Sequence, residues 1–263
     1  MPRIVTLTTD FGTTDHYTGA MKGVIYNINP AANVVDISHS VQSFDLLDGA
    51  LTIAQSYSYF PKDTVHVVVV DPGVGTERRP ILVTAGDHLF IAPDNGVLSL
   101  VYDREERISV RHITSTHYFL QPISQTFHGR DIFAAVAGWL SKGVESIKFG
   151  DTIDDYVRFH SPRARTDQHN TVRGIVLKVD KFGSLVTNIT PADVPAMFGA
   201  DFEITIGNVI ITKLFSTYAE GAKGEPFAIL GSGGYLEISV NKGSAAHVAG
   251  VNKGSEVVVQ LSS

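Results

Sequence analysis

The chain has 263 residues, with 21 basic and 27 acidic side chains and a formal net charge of −6. Its 43% hydrophobic and 18% charged residues can form a substantial core, which excludes a disordered chain. The sequence contains no cysteine, which excludes disulfides, thiolate metal sites and a cysteine nucleophile. The acidic balance argues against a nucleic-acid partner. No apolar run approaches the ~20 residues of a membrane helix and the first residues lack a signal-peptide core, so we expect a cytoplasmic protein with no membrane partner.

The first part of the sequence alternates short apolar runs with segments of helical periodicity. These patterns predict strands at 4–7, 34–37, 65–70, 81–84 and 88–92, and helices at 16–29, 45–57 and 131–140. The run 65–70 is almost entirely apolar, as expected for a strand that is covered on both faces. Strands that alternate with helices predict an α/β N-terminal domain with a largely parallel central sheet, which we assign to residues 1–165.

A polar, irregular stretch at 160–170 marks the predicted domain boundary. Beyond it, short apolar runs are separated by Gly, Asn and Asp; they lie at 174–179, 185–189, 202–206, 209–212, 227–230, 236–240 and 256–261. Short strands with frequent turn signals predict a smaller, all-β, barrel-like C-terminal domain over residues 171–263.

Polar residues on glycine-containing loops follow several of the predicted strands. Asp10 and Asp71 each follow an apolar run, and His128 precedes the last predicted helix of the first domain. Open α/β sheets bind ligands beyond the carboxyl ends of their strands, which makes these loops candidate sites. Short acids after strands also stabilise turns, so spacing alone leaves Asp10 and Asp71 open as structural residues. The Gly73-Val74-Gly75 segment matches neither a phosphate-binding loop nor a dinucleotide fingerprint.

The order of these motifs along the chain is more specific than any one of them. The motifs are Leu7-Thr8-Thr9-Asp10-Phe11-Gly12, Asp36-Ile37-Ser38-His39, Val70-Asp71-Pro72-Gly73-Val74-Gly75, Ala92-Pro93-Asp94-Asn95-Gly96, Thr126-Phe127-His128-Gly129-Arg130-Asp131, Phe182-Gly183 and Leu236-Glu237-Ile238-Ser239-Val240-Asn241. In this order they resemble the S-adenosyl-L-methionine (SAM) hydroxide adenosyltransferases, also called SAM hydrolases, which are relatives of the fluorinases and chlorinases. The resemblance covers nearly the whole chain.

The resemblance implies an enzyme that cleaves SAM at the ribose C5′ with water or hydroxide as nucleophile, giving adenosine and L-methionine. It places the catalytic groups at Asp71, Arg78 and His128, with Arg79 as the alternative arginine. These residue types suit the chemistry, because the leaving thioether needs no general acid and the difficulty is a weak nucleophile. Asp71 can orient the water, Arg78 can stabilise developing hydroxide, and His128 can accept a proton or position a neighbour.

The same resemblance implies a set of substrate-binding residues and no cofactor. Asp10 is expected to bind the ribose hydroxyls, Phe44 to lie against the ribose, and Phe127 to lie beside the reacting carbon. The remaining residues, with their expected contacts, are Phe182 and Tyr218 (adenine), Asp180 (methionine ammonium), Ser232 (methionine carboxylate), and Ser184 or, as the alternative, the backbone around Asn241 and Lys242 (adenine edge). Ser184 stands where the family often has Asn. The family also implies a homotrimer with active sites between subunits.

Three alternatives to a hydrolase are considered. A SAM halogenase shares the fold, but the halogenating relatives carry Tyr in place of Asp71 and lack His128, and a carboxylate repels a halide. A non-catalytic adenosine- or SAM-binding module needs Asp10 and Phe182 but not Asp71, Arg78 and His128 together. A divalent-metal phosphoesterase would use Asp10, Asp15, Asp71 and His128 as ligands.

Overall fold

The computed structural model describes residues 3–167, 170–199 and 201–261. Contacts divide the chain into two compact units, Met1–Ser161 and Pro162–Ser263, and this division falls inside the segment 160–170. Among the described residues, no helix combines the length and hydrophobicity that crossing a bilayer requires.

The first unit is built on a seven-stranded sheet among its described residues. Its strands are β1 (Ile4–Thr9), β2 (Asn33–Ser38), β3 (Val65–Val69), β4 (Pro80–Ala85), β5 (His88–Pro93), β6 (Ile108–His112) and β7 (Thr152–Ile153). The order across the sheet is β2-β1-β3-β5-β4-β6-β7. The first four strands of this order run parallel, and β4, β6 and β7 extend the sheet with antiparallel pairs. The predicted parallel-rich α/β domain is confirmed.

Helices cover both faces of this sheet. They are α1 (Tyr17–Ile28), α2 (Leu46–Ala54), α3 (Ser99–Tyr102) and α4 (Ala135–Ser141). On one face, α1 and α4 pack with Val65, Val67 and Val69 of β3; on the other, α2 and α3 pack with Val68 and Val70. This alternation of one strand between two cores explains its continuous apolar sequence.

The predicted helix 131–140 begins earlier than its periodicity indicates. Residues Gly129–Ala134 form a π-helical segment that leads directly into α4. Short π-helical segments within helices are frequent at functional sites because they change where neighbouring side chains are directed. Here the segment follows His128 immediately, which places that histidine at the start of a wide turn.

The second unit contains a nine-stranded sheet among its described residues, which curls into a half-barrel. Its strands are β8 (Arg165–Thr166), β9 (Thr171–Val179), β10 (Leu185–Thr187), β11 (Phe202–Ile206), β12 (Val209–Ile211), β13 (Leu214–Phe215), β14 (Pro226–Leu230), β15 (Leu236–Val240) and β16 (Glu256–Leu261). The pairs are antiparallel except β13 with β14. One short helix, α5 (Ala245–Ala249), packs against the core of this sheet. The β-rich, barrel-like character predicted for this part is confirmed.

Candidate active site

Asp10 and Asp71 lie at the same edge of the first sheet. They follow the neighbouring parallel strands β1 and β3, whose last residues Thr9 and Val69 are direct partners in the register. Parallel strands end at a common edge, which is where ligands bind in open α/β sheets. Burial raises the pKa of Asp10, and the negative charge of Asp71 adds to that rise. The two carboxylates therefore share one electrostatic environment.

Asp71 is held by a forked interaction with Arg78. The guanidinium Nε lies 3.0 Å from each carboxylate oxygen, and Nη2 also donates to Oδ2. Both side chains are almost fully buried, with 9% of Arg78 and 5% of Asp71 exposed. A buried carboxylate is stabilised by such a pair because its charge is neutralised and its oxygens are hydrogen-bonded.

The loop between Asp71 and Arg78 lies close to the loop that precedes His128. Gly75 has φ +80°, and a Cβ at this position would lie 2.3 Å from the carbonyl oxygen of Gln125. A side chain here would therefore clash with the backbone as well as strain the turn. The glycine allows the Asp71 and His128 loops to come together.

Arg78 also contacts His128, so one guanidinium joins the two side chains. Nη2 lies 2.8 Å from Nδ1 of the imidazole. A guanidinium has only donors, so Nδ1 is the acceptor and the neutral imidazole carries its proton on Nε2. Burial, followed by the positive charge of Arg78, lowers the pKa of His128. The imidazole is therefore neutral at neutral pH.

The Arg78 guanidinium has an aromatic neighbour and a free donor. Its carbon Cζ lies 5.3 Å from the ring centre of Phe133, within the range of a cation–π interaction. Its buried Nη1 has no hydrogen-bond partner among the described residues.

Arg79 has a different set of contacts from Arg78. Its Nε and Nη2 donate to Oδ2 of Asp94, and its Nη1 donates to Asp155. These partners tie the segment around Asp155 to the end of β5. The structure therefore brings Arg78, and not Arg79, to Asp71 and His128.

Asp71 and His128 line a pocket of about 150 Å³. The other lining residues are Phe11, Tyr17, Val69, Val74, Thr126, Phe127 and Gly129. The rings of Phe11, Tyr17 and Phe127 pack against one another, with Tyr17 edge-on to Phe127 at a centroid distance of 5.1 Å. This pocket places a carboxylate and an imidazole in a mostly apolar wall, which is the usual composition of a small-molecule site.

Asp10 and Phe44 form a neighbouring pair outside that pocket lining. The backbone N–H of Phe44 donates to Oδ2 of Asp10 at 2.8 Å. Phe44 has φ +66°, and its side chain is 71% exposed. An exposed aromatic in a strained backbone conformation points to a functional requirement rather than to packing.

A larger pocket of about 600 Å³ lies in the second unit. It is lined by Asp180, Phe182, Ser184, Tyr218, Val240, Asn241, Lys242 and Gly243. The structure thus brings together five of the six residues expected to bind substrate in this unit. Ser232 is exposed on the turn before β15 and lies outside this lining.

The Asp180 turn shapes one wall of the larger pocket. Its Oδ1 accepts the backbone N–H groups of Phe182 and Ser184 at 2.9 and 2.8 Å. This leaves the Phe182 ring 81% exposed beside the pocket. Such a large exposed ring on a rigid turn is suited to stacking on a planar ligand.

Three hydrogen bonds hold polar side chains of the pocket lining. Tyr218 donates through its hydroxyl to Oε2 of Glu237 at 3.1 Å, and Ser239 donates to the Ser184 hydroxyl at 3.0 Å. Burial and the Glu237 charge raise the pKa of Tyr218 to about 12. Burial also raises the pKa of Glu237, with the Asp180 charge contributing. Asn241 donates its amide to the carbonyl of Gly221 at 2.8 Å.

The sequence did not identify Asn95 and Glu237 as supporting residues, although each lies in one of the family motifs. Asn95 donates its side-chain amide to the carbonyl oxygen of Val70 at 2.8 Å, directly before Asp71. Glu237 is the acceptor that orients Tyr218. The signal for Glu237 is a charged residue in a strand that is otherwise mostly apolar; no comparable signal marks Asn95.

A metal site is not formed by the candidate acids. Within the described residues, no group of three or more His, Cys, Asp or Glu side chains is arranged to hold a metal ion. The phosphoesterase alternative built on Asp10, Asp15, Asp71 and His128 therefore has no ligand set in this geometry.

Comparisons with known proteins identify the family of the chain. Residues 5–150 match the family model of the SAM hydroxide adenosyltransferase N-terminal domain, and residues 174–258 match that of the C-terminal domain. The (R)-S-adenosyl-L-methionine hydrolase of Methanocaldococcus jannaschii is 32% identical, covering 97% of this chain and 95% of its own. The fluorinase of an Actinoplanes species is 26% identical, with 97% of both chains covered.

A solved structure extends the likeness to three dimensions. The crystal structure of an uncharacterised conserved protein from Thermotoga maritima has a TM-score of 0.90 and 34% identity, and the match covers 97% of this chain and 99% of that one. The two family models together match most of the chain, and the match to the hydrolase relative covers 97% of it. The chain belongs to the SAM hydroxide adenosyltransferase family.

Proposed function

We propose that this protein hydrolyses S-adenosyl-L-methionine to adenosine and L-methionine. The observation that carries the proposal is the buried Asp71–Arg78–His128 cluster, in which one guanidinium contacts both partners beside an aromatic pocket. A hydrolase relative at 32% identity over nearly the whole chain supports it. The fluorinase relative is more distant, at 26% identity, so water is favoured over halide as the nucleophile.

The reaction is a substitution at the ribose C5′. The water oxygen forms a bond to C5′ while the C5′–S bond breaks. The electron pair of the C5′–S bond stays on sulfur. Sulfonium becomes a neutral thioether, so the leaving group needs no proton. The attacking water loses one proton, which passes through a carboxylate to solvent.

In this scheme Asp71 is the group that orients the water and accepts its proton. Arg78 fixes the carboxylate through two nitrogens, and its positive charge beside Asp71 can stabilise developing hydroxide. His128 accepts from Arg78, so its role is to hold the guanidinium rather than to take the proton through Nδ1. Fixing a water in line with a breaking bond is a proximity effect worth several kcal/mol.

The substrate-binding residues are proposed from the family to which the chain belongs. Asp10 is proposed to accept the two ribose hydroxyls, beside Phe44 and Phe127. In the second unit, Phe182 and Tyr218 would stack on adenine, while Ser184 and Asn241 would face its polar edge. Asp180 is proposed to pair with the methionine ammonium and Ser232 with its carboxylate. The wide pocket beside Phe182 and Tyr218 supports this assignment.

The assembly is proposed to be a homotrimer that works in the cytoplasm and needs no cofactor. Mixing inactive Asp71→Ala and Asp180→Ala chains tests the shared site, because a site built from two subunits regains activity in mixed trimers. Light scattering that shows an active monomer would contradict the trimer. Full activity in excess chelator is expected if no metal takes part.

The decisive experiment supplies SAM in water enriched in heavy oxygen. The M. jannaschii relative is named for the R isomer, so the two sulfur epimers are tested separately. Chromatography and mass spectrometry should find adenosine with the label on its 5′ oxygen. Formation of 5′-chloro-5′-deoxyadenosine in chloride, in preference to adenosine, would support the halogenase instead. Binding of SAM without turnover would indicate the non-catalytic module.

A further inference from the structure

A row of four side chains links the first helix to the end of strand β1. Lys22 Nζ lies 2.6 Å from Oδ2 of Asp36, and Oδ1 of Asp36 lies 3.0 Å from Nε2 of His39. Nδ1 of His39 lies 2.8 Å from the Thr9 hydroxyl. The motif that contains Asp36 and His39 has no role in the chemistry described above.

The carboxylate of Asp36 determines which nitrogen of His39 carries the proton and which one accepts a hydrogen bond. Asp36 and Nε2 of His39 lie within ion-pair distance, and their geometry does not meet the criteria of a hydrogen bond. A carboxylate facing Nε2 still favours the proton on that nitrogen, which leaves Nδ1 as an acceptor for the Thr9 hydroxyl. The Thr9 oxygen can then accept the backbone N–H of Phe11, which lies 3.3 Å away.

The order Asp–His–Thr resembles that of a hydrolase triad, but Thr9 is inaccessible. Thr9 is 0% exposed and His39 is 6% exposed. A nucleophile must reach its substrate, so this row cannot attack one. Its effect must therefore pass through the backbone that Thr9 holds.

That backbone carries Asp10. The N–H of Gly12 donates to the carbonyl of His39 at 2.8 Å, and the N–H of Val41 donates to the carbonyl of Thr9 at 3.3 Å. These bonds join the loop after β1 to the loop after β2. Across the same junction, Asp10 accepts the N–H of Phe44. The buried His39–Thr9 hydrogen bond is a further link between these two loops.

We propose that His39 is a positioning residue for the ribose site, acting through Thr9 to hold the carboxylate of Asp10 where the substrate hydroxyls meet it. Asp36 in turn orients the imidazole. The proposal rests on the proposed function, because it assigns Asp10 the ribose. Loss of the bond should weaken nucleoside binding and leave the chemical step nearly unchanged, since Asp71 and Arg78 do not contact this row.

A second buried Thr–His bond provides a matched control. Thr6 lies on the same strand, three residues before Thr9, and its hydroxyl is 2.7 Å from Nδ1 of His66. Both Thr6 and His66 are fully buried. Thr6→Val and Thr9→Val therefore remove the same kind of bond, and both should lower the melting temperature. A purely structural role predicts that they change the kinetics alike.

The test compares Thr9→Val, Thr9→Ser and Thr6→Val by steady-state kinetics with SAM and by calorimetric titration with adenosine. We expect Thr9→Val to raise KM and the adenosine Kd by roughly tenfold, the equivalent of one hydrogen bond, with kcat within about threefold of wild type. Thr9→Ser keeps the hydroxyl and should restore both constants. Thr6→Val should leave both near wild type.

The His39 side is tested in the same way. His39→Asn keeps an acceptor near the position of Nδ1, whereas His39→Leu removes it. The Asn variant should therefore bind adenosine more tightly than the Leu variant. Equal KM values for Thr9→Val and wild type, or a Thr9→Ser variant as weak as Thr9→Val, would overturn the positioning role. If the wild type neither hydrolyses SAM nor binds adenosine, the proposed function itself fails.

Discussion

Arg78 donates to Nδ1 of His128 at 2.8 Å while the same guanidinium grips the carboxylate of Asp71. The arrangement fixes the tautomer of His128, because Nδ1 is occupied by a donor and the proton must reside on Nε2. A histidine in this state holds a neighbour in place more readily than it removes a proton from water. The relationship therefore separates two roles that the residue type alone leaves open.

Replacing His128 distinguishes those roles. His128→Asn keeps a side-chain acceptor for Arg78 at this position, whereas His128→Ala removes it and leaves only the contacts of Arg78 with Asp71. If His128 positions Arg78, kcat should fall by roughly 10²-fold or more in the Ala variant but by about tenfold or less in the Asn variant. Single-turnover rates with SAM measure this. Equal losses in both variants would instead indicate that His128 is the proton acceptor.

Substitutions of the adjacent residues Arg78 and Arg79 should have different effects, the first on the reaction rate and the second on stability. Arg78→Met removes both contacts to Asp71 and His128, and we expect kcat to fall by roughly 10²–10⁴-fold with a small change in KM. Arg79→Met breaks the ion pairs with Asp94 and Asp155. We expect this to lower the stability of the fold and not the rate of the chemical step. Its kcat should stay within about threefold of wild type while its melting temperature falls. A reversed result would assign the reaction to Arg79.

Asp71→Asn tests the carboxylate itself. The amide keeps the size of the side chain but removes the charge that orients water and accepts its proton. We expect kcat to fall by roughly 10²–10⁴-fold, and calorimetry should find SAM affinity within a few-fold of wild type. A large loss of affinity together with a normal single-turnover rate would show that Asp71 serves binding.

The sequence predicts the sheet edge well, because consecutive strands are marked by apolar runs. The loops with Asp10 and Asp71 are candidate sites because they follow predicted strands of a parallel sheet, and these two strands are neighbours in register. The choice between Arg78 and Arg79 could not be made in this way. Neighbouring residues in a loop direct their side chains differently, and only the fold decides which one turns inward.

Other features depend on contacts that no local pattern reveals. Strand β6 has partly exposed residues and follows a charged segment, so its short run Ile108–His112 was not predicted. The π-helical start of α4 was also not predicted, because its periodicity differs from that of the helix it continues. The Ser232 position, outside the lining of the larger pocket, depends on a glycine-rich turn whose conformation the sequence leaves open.

The larger pocket predicts a binding effect without a chemical one. Phe182→Ala removes an 81% exposed ring from its wall, so KM and the adenosine Kd should rise by roughly tenfold with kcat changed less than threefold. Tyr59→Ala is a suitable control, because Tyr59 is also 81% exposed and lies outside this pocket. Unchanged affinity in Phe182→Ala would place the nucleoside elsewhere.

A buried histidine pair in the first unit predicts a loss of stability in acid. His66 is fully buried between Thr6 and His88, at 2.7 and 3.3 Å, and its ring stacks on Phe90. Burial, with a smaller effect of His88, lowers the pKa of His66 from 6.5 to about 3. In the window between these values the unfolded chain binds a proton that the folded chain does not, so the free energy of unfolding falls as the pH falls.

The size of this effect follows from the width of the window. One proton over two pH units contributes roughly 2–3 kcal/mol between about pH 6.5 and about pH 4.5. Urea unfolding across this range should show the decline in wild type and a shallower slope in His66→Leu, even if that variant is less stable at pH 7. His247→Leu, at an exposed position, should keep the wild-type slope. A His66→Leu slope equal to that of wild type would mean that other groups control the acid transition.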